Sequence, residues 1–204
     1  MGSEYWQQPP TLRGDHVLLR PLESSDTEGL MAAHDDPDTL RYFPYGIESQ
    51  PPSPETVAVA LSSGRQVLVP VDLRDGRIVG TTSLYNMDER HGRVTIGYTW
   101  YSRRARGTSC NPECKLLLLD HIFGTLGAVR AEFTVDDRNL PSRNAVTALG
   151  AVEEGVLRRH ARRRDGTRRD TVVYGILAEE WPAARTRLSE RIARRAGTAD
   201  ASAP

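Results

Sequence analysis

The sequence predicts an α+β fold: one mixed, mostly antiparallel sheet with helices on both faces. Three observations carry that prediction. Residues 66–101 hold three strand-like segments in succession, separated by turn residues rather than by helical periodicity. A fourth follows after a helix-length stretch, with Val129, Ala131, Phe133 and Val135 alternating with Arg130, Glu132, Thr134 and Asp136. Two more strand segments flank the turn at Asp165-Gly166. Such a run of strands broken by single helices suits one sheet covered by helices better than a regular βαβ alternation.

Taken in order, residues 1–10 read as a disordered lead-in ending in Pro9-Pro10. His16 to Pro21 is a short strand stopped by proline, and Ser25-Asp-Thr-Glu28 has the pattern of a capping box opening a helix to about His34. A second short helix is expected over Asp38 to Tyr42. The stretch Arg41 to Gly46 is aromatic and punctuated by Pro and Gly, which suits a pocket wall. Ser53-Pro54 starts a helix to about Ser63. The three-strand run comprises Gln66 to Leu73, where Pro70 marks an edge or bulge, then Ile78 to Leu84, then Arg93 to Tyr101. Asp75-Gly76 supplies a hairpin turn, and a polar loop with Asn86, Asp88, Glu89 and His91 precedes the third strand. The next helix has an apolar stripe at Leu116, Leu119, Ile122, Phe123 and Leu126, and Gly127 is placed to stop it. Asp137 to Ser142 opens another helix, closing at Leu149-Gly150. Strands at 152–159 and 168–177 follow, then a polar helix from Pro182 to about Arg195. Residues 196–204 are expected to be a disordered tail.

A chain of 204 residues is sufficient for one domain with a sizeable core, and its 38% hydrophobic and 26% charged residues are ordinary for a soluble protein. No apolar run approaches a membrane span and no signal-peptide layout is present, so a cytoplasmic location is expected. The two cysteines, Cys110 and Cys114, read as free thiols; no second Cys/His pair stands ready to complete a zinc site, and no metal is expected. A net charge of zero argues against a general nucleic-acid-binding design. The charge is nevertheless uneven. Lys115 is the only lysine, and seven arginines fall between Arg158 and Arg169. That cluster is either a solvated hairpin face or a landing site for an acidic peptide, CoA phosphates or RNA.

The stretch Arg103 to Lys115 carries the chemistry. Asn111 suits an N-cap, Pro112 the first helical position and Glu113 the positive end of the helix dipole. Arg106-Gly107-Thr108-Ser109 before it can aim several backbone N–H groups in one direction, which makes an anion site. An ordinary capped surface helix accounts for the same signals equally well.

Arg104-x-x-Gly107-x-Ser109 resembles the signature with which GNAT-superfamily acyltransferases hold the pyrophosphate of acetyl-CoA, with Ser in place of the usual Gly or Ala at the last position. Three blocks in order extend the resemblance. They are Ile96-Gly-Tyr-Thr-Trp100 with Asn111-Pro-Glu-x-Lys115; Thr134-x-Asp136-x-x-Asn139-x-x-Ser142; and Leu157-Arg-x-His160 with Asp165-Gly, Arg169-Asp and Glu180-Trp-Pro182. The whole is similar to the branch that includes the ribosomal-protein N-terminal acetyltransferases. The resemblance covers residues 11–182, with a C-terminal helix at 183–195. It implies a sheet splayed in its middle, with the pantetheine arm of acetyl-CoA between the splayed strands. The implied reaction is direct attack of a primary amine, on a small molecule or a protein N-terminus, at the acetyl carbonyl. A homodimer is also implied.

The resemblance assigns cofactor contacts to Ile96, Tyr98 and Trp100 along the strand, to Arg104, Arg106, Gly107, Thr108, Ser109 and Asn111 around the loop, and to Asn139 and Ser142. Ser142 would also be catalytic, near the CoA sulfur. Val146 stands where many family members carry a tyrosine acid. Thr95 stands where branch members often carry the glutamate base, and threonine takes no proton at neutral pH. Glu89, His91 and Asp136 are the alternatives nearby. The acceptor pocket is assigned to Tyr42, Phe43, Tyr45 and Tyr85. Two other readings stay open: a donor such as aminoacyl-tRNA or a longer acyl-CoA, and an inactive acyl-CoA-binding regulatory module.

Overall fold

The computed structural model describes residues 3–200. Among them, eight strands form one sheet in the order β1-β2-β3-β4-β5-β6-β8-β7. The strands are β1 (Leu12–Arg13), β2 (Val17–Pro21), β3 (Gln66–Asp72), β4 (Gly80–Asp88), β5 (Arg93–Tyr101), β6 (Arg130–Asp136), β7 (Val152–Arg162) and β8 (Arg168–Leu177). Every neighbouring pair is antiparallel except β5 and β6. The helices are α1 (Ser3–Gln7), α2 (Thr27–Ala33), α3 (Pro54–Ser62), α4 (Cys110–Asp120), α5 (Leu140–Thr147) and α6 (Trp181–Asp200).

The parallel pair positions the site. Its ladder runs only from Arg93↔Arg130 to Thr95↔Glu132. Beyond Thr95 the two strands part, and β5 keeps its β4 partner alone. A bulge opens just there: Thr81 pairs with Trp100 but Ser83 pairs with Gly97, and Tyr98 takes a left-handed φ of 48°. A non-glycine residue holds that conformation at a cost of about 1–2 kcal/mol, which surrounding contacts must offset. The bulge turns Tyr98 onto the same face as Gly97 and Tyr85, where Tyr98 packs edge-on against Tyr85 and Phe43 at 5.3 and 6.0 Å between ring centres. Arg65 lies 3.9 Å over the Tyr98 ring. Gly97 is required by this packing, since a Cβ there would lie 2.8 Å from the Tyr85 ring.

Each face of the sheet carries its own core. One buries Leu118, Leu119 and Ile122 against Ile96, Phe133 and Ile176; the other buries Leu30, Leu40 and Val57 against Val69 and Trp100. Each fully buried aliphatic side chain contributes roughly 1.5–3 kcal/mol. Glu113 does not merely sit near a helix dipole. It is buried, and its carboxylate accepts from the backbone N–H of Asp15 at 2.8 Å and of His16 at 3.0 Å, tying α4 to the β1–β2 turn.

Several expectations are corrected. Residues 3–7 form a helix rather than a disordered lead-in: Trp6 is buried in the core and its indole N–H donates to the Leu126 carbonyl at 3.2 Å. The capping box is two residues earlier than Ser25–Glu28, with Glu23 at the cap and Asp26 returning to its N–H. Asp38 to Tyr42 forms turns, not a helix. Pro70 sits in an internal strand, tolerated because the β3–β4 ladder ends at Leu68. The backbone of α6 continues past Arg195 to Asp200, and the rest of the expected tail, 201–204, lies outside the described residues.

Candidate active site

Where β5 and β6 part, a cleft of about 580 Å³ passes through the sheet. Its walls come from β5 (Ile96 to Tyr101), β6 (Phe133 to Asp136), the start of α4, the start of α5, the Tyr42–Pro44 segment and the β7–β8 hairpin. One strand edge, two helix starts and an aromatic wall therefore face a common space.

At one end lies the Arg106–Asn111 loop. Gly107 takes a φ of 78°, a conformation that favours glycine. Among the described residues, no group accepts a hydrogen bond from the backbone N–H of Gly107, Thr108, Ser109 or Asn111, whereas the Cys110 N–H is held by Thr108 Oγ1 at 3.2 Å. Thr108 is spent on shaping the loop, since its hydroxyl also donates to the Ala105 carbonyl at 2.7 Å. Helix α4 begins at Cys110 with Ser109 at the cap, so Asn111 lies inside the first turn and does not cap it. Its Oδ1 is instead buried without a partner on the cleft wall. A buried amide oxygen left open in this way is costly unless a ligand donor completes it.

Lys115 lies one turn further along α4. It is 6% exposed and lines the same cleft. Its ammonium donates to Thr99 Oγ1 at 3.2 Å, and among the described residues no carboxylate comes within ion-pair reach. Burial lowers its pKa to about 8. A sole lysine in a leucine-rich helix gave no sign in the sequence of facing the cleft.

The start of α5 brings Asn139 and Ser142 to the opposite wall. Asn139 caps the helix, accepting from the Ser142 N–H at 3.1 Å through Oδ1, which leaves its NH₂ group for a ligand. The Ser142 hydroxyl makes no hydrogen bond within the described residues, so it too is open to the cleft.

The remaining wall is built by the β7–β8 hairpin. The register slips between Leu157↔Thr171 and Ala161↔Arg169, and Arg159 adopts a φ of 52° with its N–H held by Asp170 at 2.6 Å. Bulges of this kind re-aim side chains. Here the bulge brings His160 into the cleft, with Nδ1 at 3.2 Å from Thr171 Oγ1 and Nε2 unbonded among the described residues. Across from it, the Tyr85 hydroxyl meets Thr134 Oγ1 at 2.9 Å, and burial raises its pKa, so it stays protonated. Asp136, in the lining itself, forms a buried ion pair at 2.8 and 2.9 Å with Arg163, which is outside it. Burial alone would raise the Asp136 carboxyl, but Arg163 and the Arg138 N–H outweigh that and hold it below the usual carboxylate range. Asp136 is therefore a poor proton acceptor.

The sequence-derived residues divide accordingly. Ile96, Tyr98, Trp100, Arg106, Asn111, Asn139, Ser142, Tyr42, Phe43 and Tyr85 line the cleft. Gly107, Thr108 and Ser109 are not in the lining, although Arg106 and Asn111 on either side of them are. Arg104 does not face it: Asp72 and Asp75 hold its guanidinium at 2.9 and 2.7 Å. Arg106 reaches the cleft but is also paired with Asp36 at 2.5 Å. Tyr45 is 67% exposed and lies outside the lining. Glu89 and His91 sit on the exposed β4–β5 turn, beside the paired start of β5 rather than its splayed end, so neither reaches the site. Thr95 is buried and faces Glu132, whose carboxylate is held by Arg130 at 2.7 Å and lies outside the lining. The arginine cluster is partly interior, since Arg163 and Arg169 are both 5% exposed. His160 and Arg169 were legible only as members of a motif; the bulge that aims them has no sequence signal beyond it. Among the described residues no group of His, Cys, Asp and Glu could hold a metal ion, and no helix is long and apolar enough to cross a membrane.

A family model described as an acetyltransferase (GNAT) domain matches residues 16–152. An uncharacterized N-acetyltransferase p20 from Bacillus licheniformis is 26% identical over 176 residues, covering 84% of this chain and 98% of the relative. A GCN5-related N-acetyltransferase from Brucella melitensis superposes with a TM-score of 0.81 at 25% identity, covering 90% of this chain and 85% of that one. Mycobacterium smegmatis RimJ, solved in complex with CoA-disulfide, superposes at 0.76 with 27% identity, covering 92% and 96%. With the splayed strands and the loop of open N–H groups, these matches establish that the chain belongs to the GNAT acetyltransferase family.

Proposed function

We propose that the protein transfers an acetyl group from acetyl-CoA to a primary amine that enters from the aromatic side of the cleft. One observation carries the reading. The unpaired edge of β5 runs from the aromatic wall straight to the open N–H groups at the start of α4. Those N–H groups fit a pyrophosphate, and the unpartnered Asn111 Oδ1 fits a pantetheine amide. Bound acetyl-CoA supplies a thioester whose carbonyl carbon accepts a nucleophile.

The chain's own residues do the rest. The backbone of Ile96, Tyr98 and Trp100 orients the pantetheine arm, and Asn139 grips it from the α5 side. Ser142 offers its free hydroxyl to the sulfur, stabilising a departing thiolate by a hydrogen bond. His160 takes the proton that the acceptor amine must lose, with Thr171 fixing its ring. This assignment answers the absence of a glutamate at position 95. Tyr42, Phe43 and Tyr85 hold the acceptor. The family's use of acetyl-CoA agrees with a cytoplasmic location.

Calorimetry with acetyl-CoA, followed by an assay of free CoA release with a panel of amines, tests the reading. Binding is expected to be micromolar and to disappear in Gly107→Asp, which places a carboxylate where the phosphates sit. His160→Gln is expected to keep that binding and lose about 10²–10⁴-fold in rate, the range for a general base. Failure of the wild-type protein to bind acetyl-CoA would overturn the proposal.

A further inference from the structure

Arg169 is a cleft residue whose chemistry acetyl transfer alone does not use. It stands on β8 two residues before Thr171, on the same face of the strand, so it lies about 7 Å along the wall from the group that orients His160. Its side chain is 6% exposed. A guanidinium has five donors in a planar fork. Among the described residues only two bonds engage them, both 3.4 Å long and both to carbonyls, those of Tyr42 and Thr134. Its Nε is buried without a hydrogen-bond partner.

The nearest carboxylate does not compensate it. Asp136 Oδ2 lies 4.0 Å from Arg169 Nε, but that oxygen already receives Arg163 Nε at 2.8 Å. The other oxygen receives Arg163 and the Arg138 N–H, both at 2.9 Å. Asp137, the next acid along, is taken by Arg163 at 2.5 Å. The other ionisable groups facing Arg169 are the phenols of Tyr85 and Tyr98. A buried cation with idle donors is destabilising unless an anion joins it, and the fork of an arginine matches a carboxylate bidentately.

From this arrangement we infer that the acceptor is a small amino acid: an amine that carries a carboxylate within a few bonds of its nitrogen, bound with the carboxylate on Arg169 and the amine toward His160. The edge-on rings of Phe43, Tyr85 and Tyr98 take its side chain. The inference rests on the proposed transfer reaction and deepens it by naming the acceptor class.

The experiment pairs free amino acids with their C-terminal amides, aromatic and aliphatic, as acceptors. The wild-type protein is expected to favour the acid in kcat/KM by at least about tenfold, the effect of one charge-assisted hydrogen bond. Arg169→Gln is expected to erase that preference, and Arg169→Lys, which keeps the charge without the fork, to reduce it. Circular dichroism confirms that each variant is folded. Calorimetric binding of the N-acetylated acid and amide to the CoA complex gives the same comparison without turnover. A preference for the acid in binding with no turnover on any amine would sink the transfer reading and keep the carboxylate site. Equal use of acid and amide by the wild type, a preference that survives in Arg169→Gln, or activity confined to protein N-termini would overturn the inference while leaving acetyl transfer intact.

Discussion

Arg163 and Arg169 stand on the same hairpin, are equally buried, and differ in how their donors are engaged. Arg163 is saturated: it grips both oxygens of Asp136, reaches Asp137 and Thr167, and donates to the Arg168 carbonyl. Arg169 has two long bonds to carbonyls and an idle Nε. Arg163 locks the turn of the hairpin to the end of β6 and lies outside the cleft lining, whereas Arg169 faces the cleft. Lys115 belongs with Arg169, as a buried cation on the cleft wall held by one hydroxyl. Burial alone does not tell a structural cation from a binding one. The state of its partners does, because an interior charge left uncompensated persists only where something else completes it or where other contacts bear its cost.

Three substitutions sharpen or break this contrast. Arg163→Met strands a buried Asp136 carboxylate and is expected to cost about 3–5 kcal/mol in urea unfolding. A loss below 1 kcal/mol would mean the pair is not the lock described.

Lys115→Met comes next, and its effect depends on pH. The native pKa of about 8 lies below the ordinary lysine value of 10.5, so the proton is held more weakly in the folded state. Below about pH 8 both states are protonated, and the charged amine burdens the fold by roughly 3 kcal/mol at ~1.4 kcal/mol per pH unit. Between about pH 8 and 10.5 the unfolded chain binds more protons, so wild-type stability gains from this residue as pH rises. The methionine variant is therefore expected to be more stable at pH 7, with the gap closing toward pH 10. A gap independent of pH would show that the lysine finds compensation in the fold.

The smallest effect is expected for Arg169→Gln. Losing two long bonds while removing a poorly compensated charge changes stability by less than about 1 kcal/mol. If its urea midpoint instead fell as far as that of Arg163→Met, Arg169 would be a structural peg and the contrast would collapse.

What was readable in advance follows from the range of the interactions involved. The element order, the helix starts and the anion loop rest on neighbours within a few residues, and most were legible. Even there Asn111 was misplaced by two positions, because Ser109 could cap equally well and only the folded cleft shows the freed amide. Trp6 was lost to an apparent lead-in because the groups that bury it lie beyond residue 60. Glu89 and His91 were near the missing base in sequence, but the paired start of β5 puts them at the wrong end of the strand.

By itself the sequence determined an α+β sheet with a glycine-bearing loop leading into a helix start, since periodicity, caps and turn residues act locally. Only the tertiary structure decided how far β5 and β6 stay together, that the β7 bulge sets the exposed His160 on the cleft wall, and which of two arginines is satisfied. Those outcomes depend on carboxylates, carbonyls and rings contributed by segments far apart in the chain, and no local pattern encodes their distances.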